Sequence, residues 1–209
     1  LGDTAVCSTG SNLSLKIVGN TGVLNNWQKS ETTTGPWIDL VESTNILTLN
    51  NSSSTLYYRG VLSNGGCVIN TDSVLVQVDN KTNGGFLVGT NKLCFGEYLD
   101  VQLQGKSGTM LSWTSSTNGG ALWDTLTTTS LDFIENSISD TMLIFASVQS
   151  GVCPIENSDT LEVIVHPLPI INYFYNGTCE GTLTNFTNLS TIVSGNIIET
   201  NWDYGDGNS

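Results

Sequence analysis

Five cysteines stand at positions 7, 67, 94, 153 and 179, and four of them keep a spacing that chemistry can use. Cys67 follows Cys7 by 60 positions, and Cys153 follows Cys94 by 59. Thiols repeated at one spacing are the makings of disulfide bridges. The spacing predicts Cys7–Cys67 and Cys94–Cys153, each tying the start of a folded unit to its last hairpin. In the chain-entropy account each bridge is worth about 4 kcal/mol, and both place the protein in an oxidising compartment. Cys179 is the odd cysteine, with no expected partner inside the chain.

The remaining reactive residues are sparse. Asp203 and Asp206 flank an aromatic and a glycine in the stretch WDYGDG. They are weak candidates for Ca²⁺, which takes six to eight oxygens; the simpler reading is a turn, where Asp and Gly satisfy backbone groups. His166 is the single histidine and precedes a proline. No nucleophile–base pair, no paired metal-ligand histidines and no glycine-rich phosphate loop can be assembled. Hydrolysis by two carboxylates alone needs a defined pair, and no pair is singled out. The expectation is a protein that is not an enzyme and holds no cofactor.

Charge narrows the partners. Six Lys and Arg against nineteen Asp and Glu give a formal charge of −13, which repels phosphate backbones and argues against nucleic acid. No apolar run approaches the roughly 20 residues of a membrane span. The first residue is Leu1 and no signal peptide is present, so the natural chain is expected to begin upstream.

These residues need elements to position them, and an internal repeat supplies the elements. Cys94 follows Cys7 by 87 positions, while Trp27 recurs as Trp113, Trp37 as Trp123 and Cys67 as Cys153, each 86 positions on. Four landmarks in one register mark tandem units. Each unit alternates apolar and polar residues, as in LSLKIV, LYYRGVLS, LDVQLQG and MLIFASVQ, with Gly, Asn, Ser and Thr between the runs. SNGG (63–66) and QSG (149–151) are hairpin-turn chemistry. About seven strands in some 85 residues with an early Trp predict immunoglobulin-like sandwiches. Trp27 and Trp113 are expected to plug each core against its bridge, and Trp37 and Trp123 to cover the same core from the next strand rather than to form an exposed sugar platform. Domains are expected at 1–79 and 80–167, with 168–209 opening a third. HPLP (166–169) restricts the second joint, so the array should be a stiffly jointed rod.

The closing NWDYGDG resembles the W-D-F-G-D-G signature of PKD domains, with Tyr204 in the Phe position. That resemblance implies an incomplete PKD-like β-sandwich over 168–209, and a chain that is all-β throughout. YYRGVLSNGGC (57–67) resembles the final hairpin of immunoglobulin-like repeats in very large secreted bacterial adhesins; MLIFASVQSGVC departs by having Phe145 where the first unit has Tyr58. The nearest family by resemblance is the gliding-motility surface adhesins of Bacteroidota, exported by type IX secretion. Asp-Ser/Thr-apolar triplets at Thr4, Ser73, Thr125, Thr141 and Thr160 are similar to the O-glycosylation acceptors of those bacteria.

The resemblance implies an extracellular, cell-surface repeat segment. Its partners would be surface or glycan ligands, engaged weakly and many times over, and the secretion machinery during export. The alternative is a non-catalytic spacer in a secreted polysaccharide-degrading enzyme. A third reading is cargo caught with its secretion machinery.

Overall fold

The computed structural model describes residues 4–10, 12–177 and 179–204, and no helix occurs among them. The first unit contains β1 (Thr4–Cys7), β2 (Asn12–Lys16), β3 (Val23–Ser30), β4 (Ile38–Asp39), β5 (Ile46–Asn50), β6 (Leu56–Asn64), β7 (Cys67–Asn70) and β8 (Val74–Asp79). One sheet runs β1-β8-β6-β3-β4, with β7 also on β6, and the other is β2-β5.

The second unit repeats the plan with β9 (Phe86–Gly89), β10 (Lys92–Cys94), β11 (Leu99–Gln104), β12 (Thr109–Ser116), β13 (Asp124–Thr127), β14 (Asp132–Glu135), β15 (Met142–Gln149), β16 (Glu156–Asn157) and β17 (Leu161–His166). Its sheets are β10-β17-β15-β12-β13, with β16 on β15, and β14-β11-β9. A third segment forms the hairpin of β18 (Tyr173–Asn176) and β19 (Asn185–Asn188). The chain is thus all-β, with two immunoglobulin-like sandwiches in tandem.

The alternation in the sequence is what builds the layers. Along β15 every second residue, Met142, Ile144, Ala146 and Val148, is buried, and along β11 Leu99, Val101 and Leu103 are. Period two puts those residues on one face of the sheet. Each unit closes its own core. Leu15, Trp27, Leu47, Tyr58 and Val76 meet in the first, and Leu99, Trp113, Ile138, Ile144 and Val163 in the second.

Trp27 and Trp113 are the central plugs, each only 1% exposed. Trp27 faces Gly60 across the strand pair, and Trp113 faces Ala146, small residues that leave room for an indole. Each indole N–H donates to a carbonyl 17 positions on, Thr44 at 2.9 Å and Ser130 at 3.2 Å. A buried Trp needs such a partner, and the matching separation shows that the units share this detail. They also share a bulge, at Leu24/Asn26 and at Met110/Ser112.

The bridges expected beside those tryptophans do not form. The disulfide joins Cys7 to Cys153, and Cys67 and Cys94 are free and exposed. The reason is topological. β1 runs parallel to β8 with Cys7 opposite Asp79, beyond the level at which β6 begins. Cys67 lies opposite Asn64, where β6 ends. At about 3.3 Å per residue the two thiols sit roughly 35 Å apart, and a bridge needs Cα atoms within about 7 Å. In the second unit Cys94 faces His166 on β17, at the start of β15, while Cys153 lies past its end. Each unit therefore carries one thiol at its head and one at its tail.

Candidate functional site

The tail of the first unit meets the head of the second, and this joint is where the reactive residues converge. Cys7 closes β1, the edge strand, and its burial follows from the bond it makes. Cys153 closes the turn after β15, where its N–H donates to the Ser150 carbonyl at 2.9 Å. The two Cα atoms are 4.8 Å apart and 146 positions distant in sequence. Both sulfurs are buried with their residues, Cys7 at 5% exposure and Cys153 at 0%.

Polar contacts flank the bridge. Asp79, the last residue of β8, accepts from the Val152 N–H at 2.8 Å and from the Gln77 amide at 2.7 Å. Those two donors, the Gln77 amide first, hold its carboxyl below the ordinary carboxylate value. Thr82, buried in the linker, accepts from the Ser150 N–H at 3.1 Å. Asn83 makes an antiparallel bridge to Ser107.

Two glycines make the approach possible. A Cβ on Gly151, whose φ is +50°, would lie 1.9 Å from Asp79 Oδ2. A Cβ on Gly84 would lie 1.9 Å from the Asn157 carbonyl oxygen. Neither close approach leaves room for any other residue.

The other predicted residues do not join this site. Trp37 and Trp123 lie on the outer faces of their sheets instead of covering the cores. Trp37 takes the Arg59 guanidinium over its ring at 4.0 Å, and Trp123 tilts over Phe145 at 5.1 Å. Strand register, with Trp27 opposite Gly60 and Trp113 opposite Ala146, makes Phe145 the counterpart of Arg59 rather than of Tyr58. Both positions alternate away from the core. Arg59 also donates to Gln28, which with Asn26 donates to Asp39 and lowers its pKa, the Gln28 contact being the larger cause.

Ser73, Thr125, Thr141 and Thr160 are exposed and Thr4 is half-buried. Ser73 and Thr160 immediately precede β8 and β17. Thr141 Oγ1 accepts from the Val165 N–H at 3.0 Å, and Thr125 Oγ1 lies 3.4 Å from that of Thr114. Asp203 is exposed, and Asp206 and Asp3 fall outside the described residues. Cys179 is exposed between β18 and β19, unbridged. In this third segment Phe186 meets Trp202 at 5.6 Å and Tyr204 at 5.3 Å. Among the described residues no group of three or more His, Cys, Asp or Glu is placed to share a metal ion, and no helix is long and apolar enough to cross a membrane.

Asp79, Thr82 and Gly151 were not anticipated from sequence. A signal for Gly151 was present: Gly65-Gly66-Cys67 and Gly151-Val152-Cys153 share a Gly-x-Cys pattern.

A family model described as "Domain of unknown function (DUF8696)" matches residues 1–80 and again 83–167. No curated protein matches. Among solved structures the chain is similar to the N-terminal four Ig domains of Dscam1 isoform 9.44, at 11% identity and a TM-score of 0.43, covering 78% of this chain and 43% of that one. It is similar to extracellular domains 3–5 of Drosophila OTK at 10% identity and a TM-score of 0.41, covering 78% and 60%. Fibronectin(III)-like modules of Clostridium thermocellum CbhA match at 12% identity and a TM-score of 0.31, covering 79% and 91%. The chain spans less than half the length of the Dscam1 structure.

Proposed function

The chain belongs to the family described as a domain of unknown function (DUF8696), which it matches twice in tandem, and we propose that it serves as a stretch of an extracellular adhesin filament. The observation that carries this reading is the Cys7–Cys153 bridge between consecutive units. A bridge within a sandwich stabilises that sandwich. A bridge between sandwiches fixes how they are joined, and so serves an array. Tension entering at β1 passes through the bridge to β16 and β17 and leaves by the linker at His166. The stretch between Cys7 and Cys153, which carries most of both cores, lies off that covalent path; of the core residues only Val6 on β1 and Val163 on β17 bear the load.

In this reading the segment from 168 onward is a PKD-like unit. The outer faces bearing Trp37 and Trp123 offer weak contacts, multiplied along the filament. Thr4, Ser73, Thr125, Thr141 and Thr160 carry O-glycans that shield strand edges from pairing with neighbouring filaments. Export by type IX secretion and a part in gliding go with the same family resemblance.

An antibody fragment raised against this chain tests the proposal on living cells of the source organism. Surface labelling, together with loss of attachment to glass or polysaccharide, is the expected result. Absence of surface label, or label without any effect on attachment, would count against it.

A further inference from the structure

The bridge uses one thiol from each unit, the tail cysteine of the first and the head cysteine of the second. The complementary two, Cys67 at the head of the first and Cys94 at the tail of the second, remain exposed. We propose that Cys67 and Cys94 are the two halves of further joints of the same construction, each taking up the complementary cysteine of another unit of this family.

Cys94 reproduces the tail. Cys7 ends β1 opposite Asp79, and the following Ser8 N–H donates to the Asp79 carbonyl at 2.8 Å. Cys94 ends β10 opposite His166, and the following Phe95 N–H donates to the His166 carbonyl at 2.9 Å. The edge strand, its parallel register and the hydrogen bond that closes it are the same.

Cys67 reproduces the head, and here an independent feature points to an occupant. Gly65 and Gly151 each stand two positions before the cysteine, and both have positive φ, +64° and +50°. At Gly151 the space where a Cβ would stand is filled by the Asp79 carboxylate of the neighbouring unit. At Gly65 nothing lies within 4 Å. The left-handed turn and its vacant side are therefore present at both heads, and only one is occupied. Val23 and Val68, both paired with Ser63, and Ile69, paired with Leu62, are between 66% and 70% exposed on the strands that lead into this turn. The partner for Cys67 is a unit whose edge strand ends in Cys, set beside a strand-end residue such as Asp. The partner for Cys94 is a Gly-x-Cys hairpin.

Chemically the joint is a thiol–disulfide exchange. A small-molecule disulfide or the disulfide of an oxidoreductase accepts two electrons and two protons from the two thiols. It leaves as two thiols while the new S–S bond forms. The inference does not depend on what the array binds.

The test is disulfide mapping of the native full-length protein, alkylated on isolation and digested without reduction. The expected result is Cys67 linked to a strand-end cysteine of another unit and Cys94 linked to a hairpin cysteine of another unit, each free-thiol form being below a tenth of its peptide. Alkylated Cys67 and Cys94, hairpin-to-hairpin or strand-end-to-strand-end links, or links to peptides of unrelated domains would overturn it.

Discussion

Cys7 and Asp79 face each other across the parallel pair of β1 and β8. From that single register both residues reach the second unit, Cys7 by its bond to Cys153 and Asp79 by its hydrogen bond to Val152. A covalent link and a polar grip thus enter the same turn from adjacent strands. Their common target is a turn that carries no side chain at Gly151.

Gly151→Ala should weaken this joint while Gly65→Ala leaves it alone. Both substitutions put a Cβ on a left-handed residue and cost about 1 kcal/mol for that reason. Only at Gly151 does the Cβ also meet Asp79. Refolding under a glutathione buffer should yield several-fold less Cys7–Cys153 bridge in the Gly151 variant. Equal yields in the two variants would remove the steric argument.

Acid should loosen the polar grip. The Asp79 carboxyl titrates below its ordinary 3.8 in the folded protein, held there by Gln77 and Val152. A depressed carboxylate contributes fully above its unfolded value, and that contribution is lost as pH falls through the lowered folded value. Solvent screens this group, so the readout is local. In a Cys7→Ser/Cys153→Ser protein, inter-unit energy transfer should change below the ordinary carboxylate range and not above it. Asp79→Asn should abolish that acid step.

Each core should answer to its own tryptophan. Trp27→Ala and Trp113→Ala each remove a fully buried indole and its hydrogen bond. Losses of about 3–5 kcal/mol are expected from such truncations, measured by urea unfolding with the bridge reduced. Each change should destabilise one unit and leave the other's transition in place. A shared loss would mean that the cores are not independent.

Glycans, if carried, should appear as added mass on the native protein. Ser73 and Thr160 are the first sites to examine, because each is exposed at the opening of a strand. An intact mass equal to that of the bare polypeptide would end this part of the proposal.

Much of the fold was legible in the residues. Alternation located the strands because one face of each sheet is buried, as in MLIFASVQ. The recurring Trp27 and Trp113 announced the core because an indole of that size has few other places to sit. The bridge was not legible, because spacing along the chain says nothing about which end of a sheet a residue occupies. Sixty residues suggested closeness, yet β6 carries the chain away from Cys7 before Cys67 is reached. Trp37 and Trp123 were misplaced for a related reason. Their partners, Arg59 and Phe145, sit at strand positions that alternate outward, and the choice of face depends on a register that only pairing fixes. Asp79 left no signal of its own, since an aspartate ending a strand is ordinary until another unit is placed beside it.

Pulling the protein from its two ends tests the covalent joint most directly. With Cys7 bonded to Cys153, the stretch of 146 positions between them is shielded from force. Within the two units of the oxidised protein the load therefore falls on β1, β16 and β17 and the shielded stretch does not extend, whereas reduction should add about 500 Å of extension at roughly 3.5 Å per residue. Extension of any part of the stretch between Cys7 and Cys153 without reduction, or no added extension on reduction, would contradict the account.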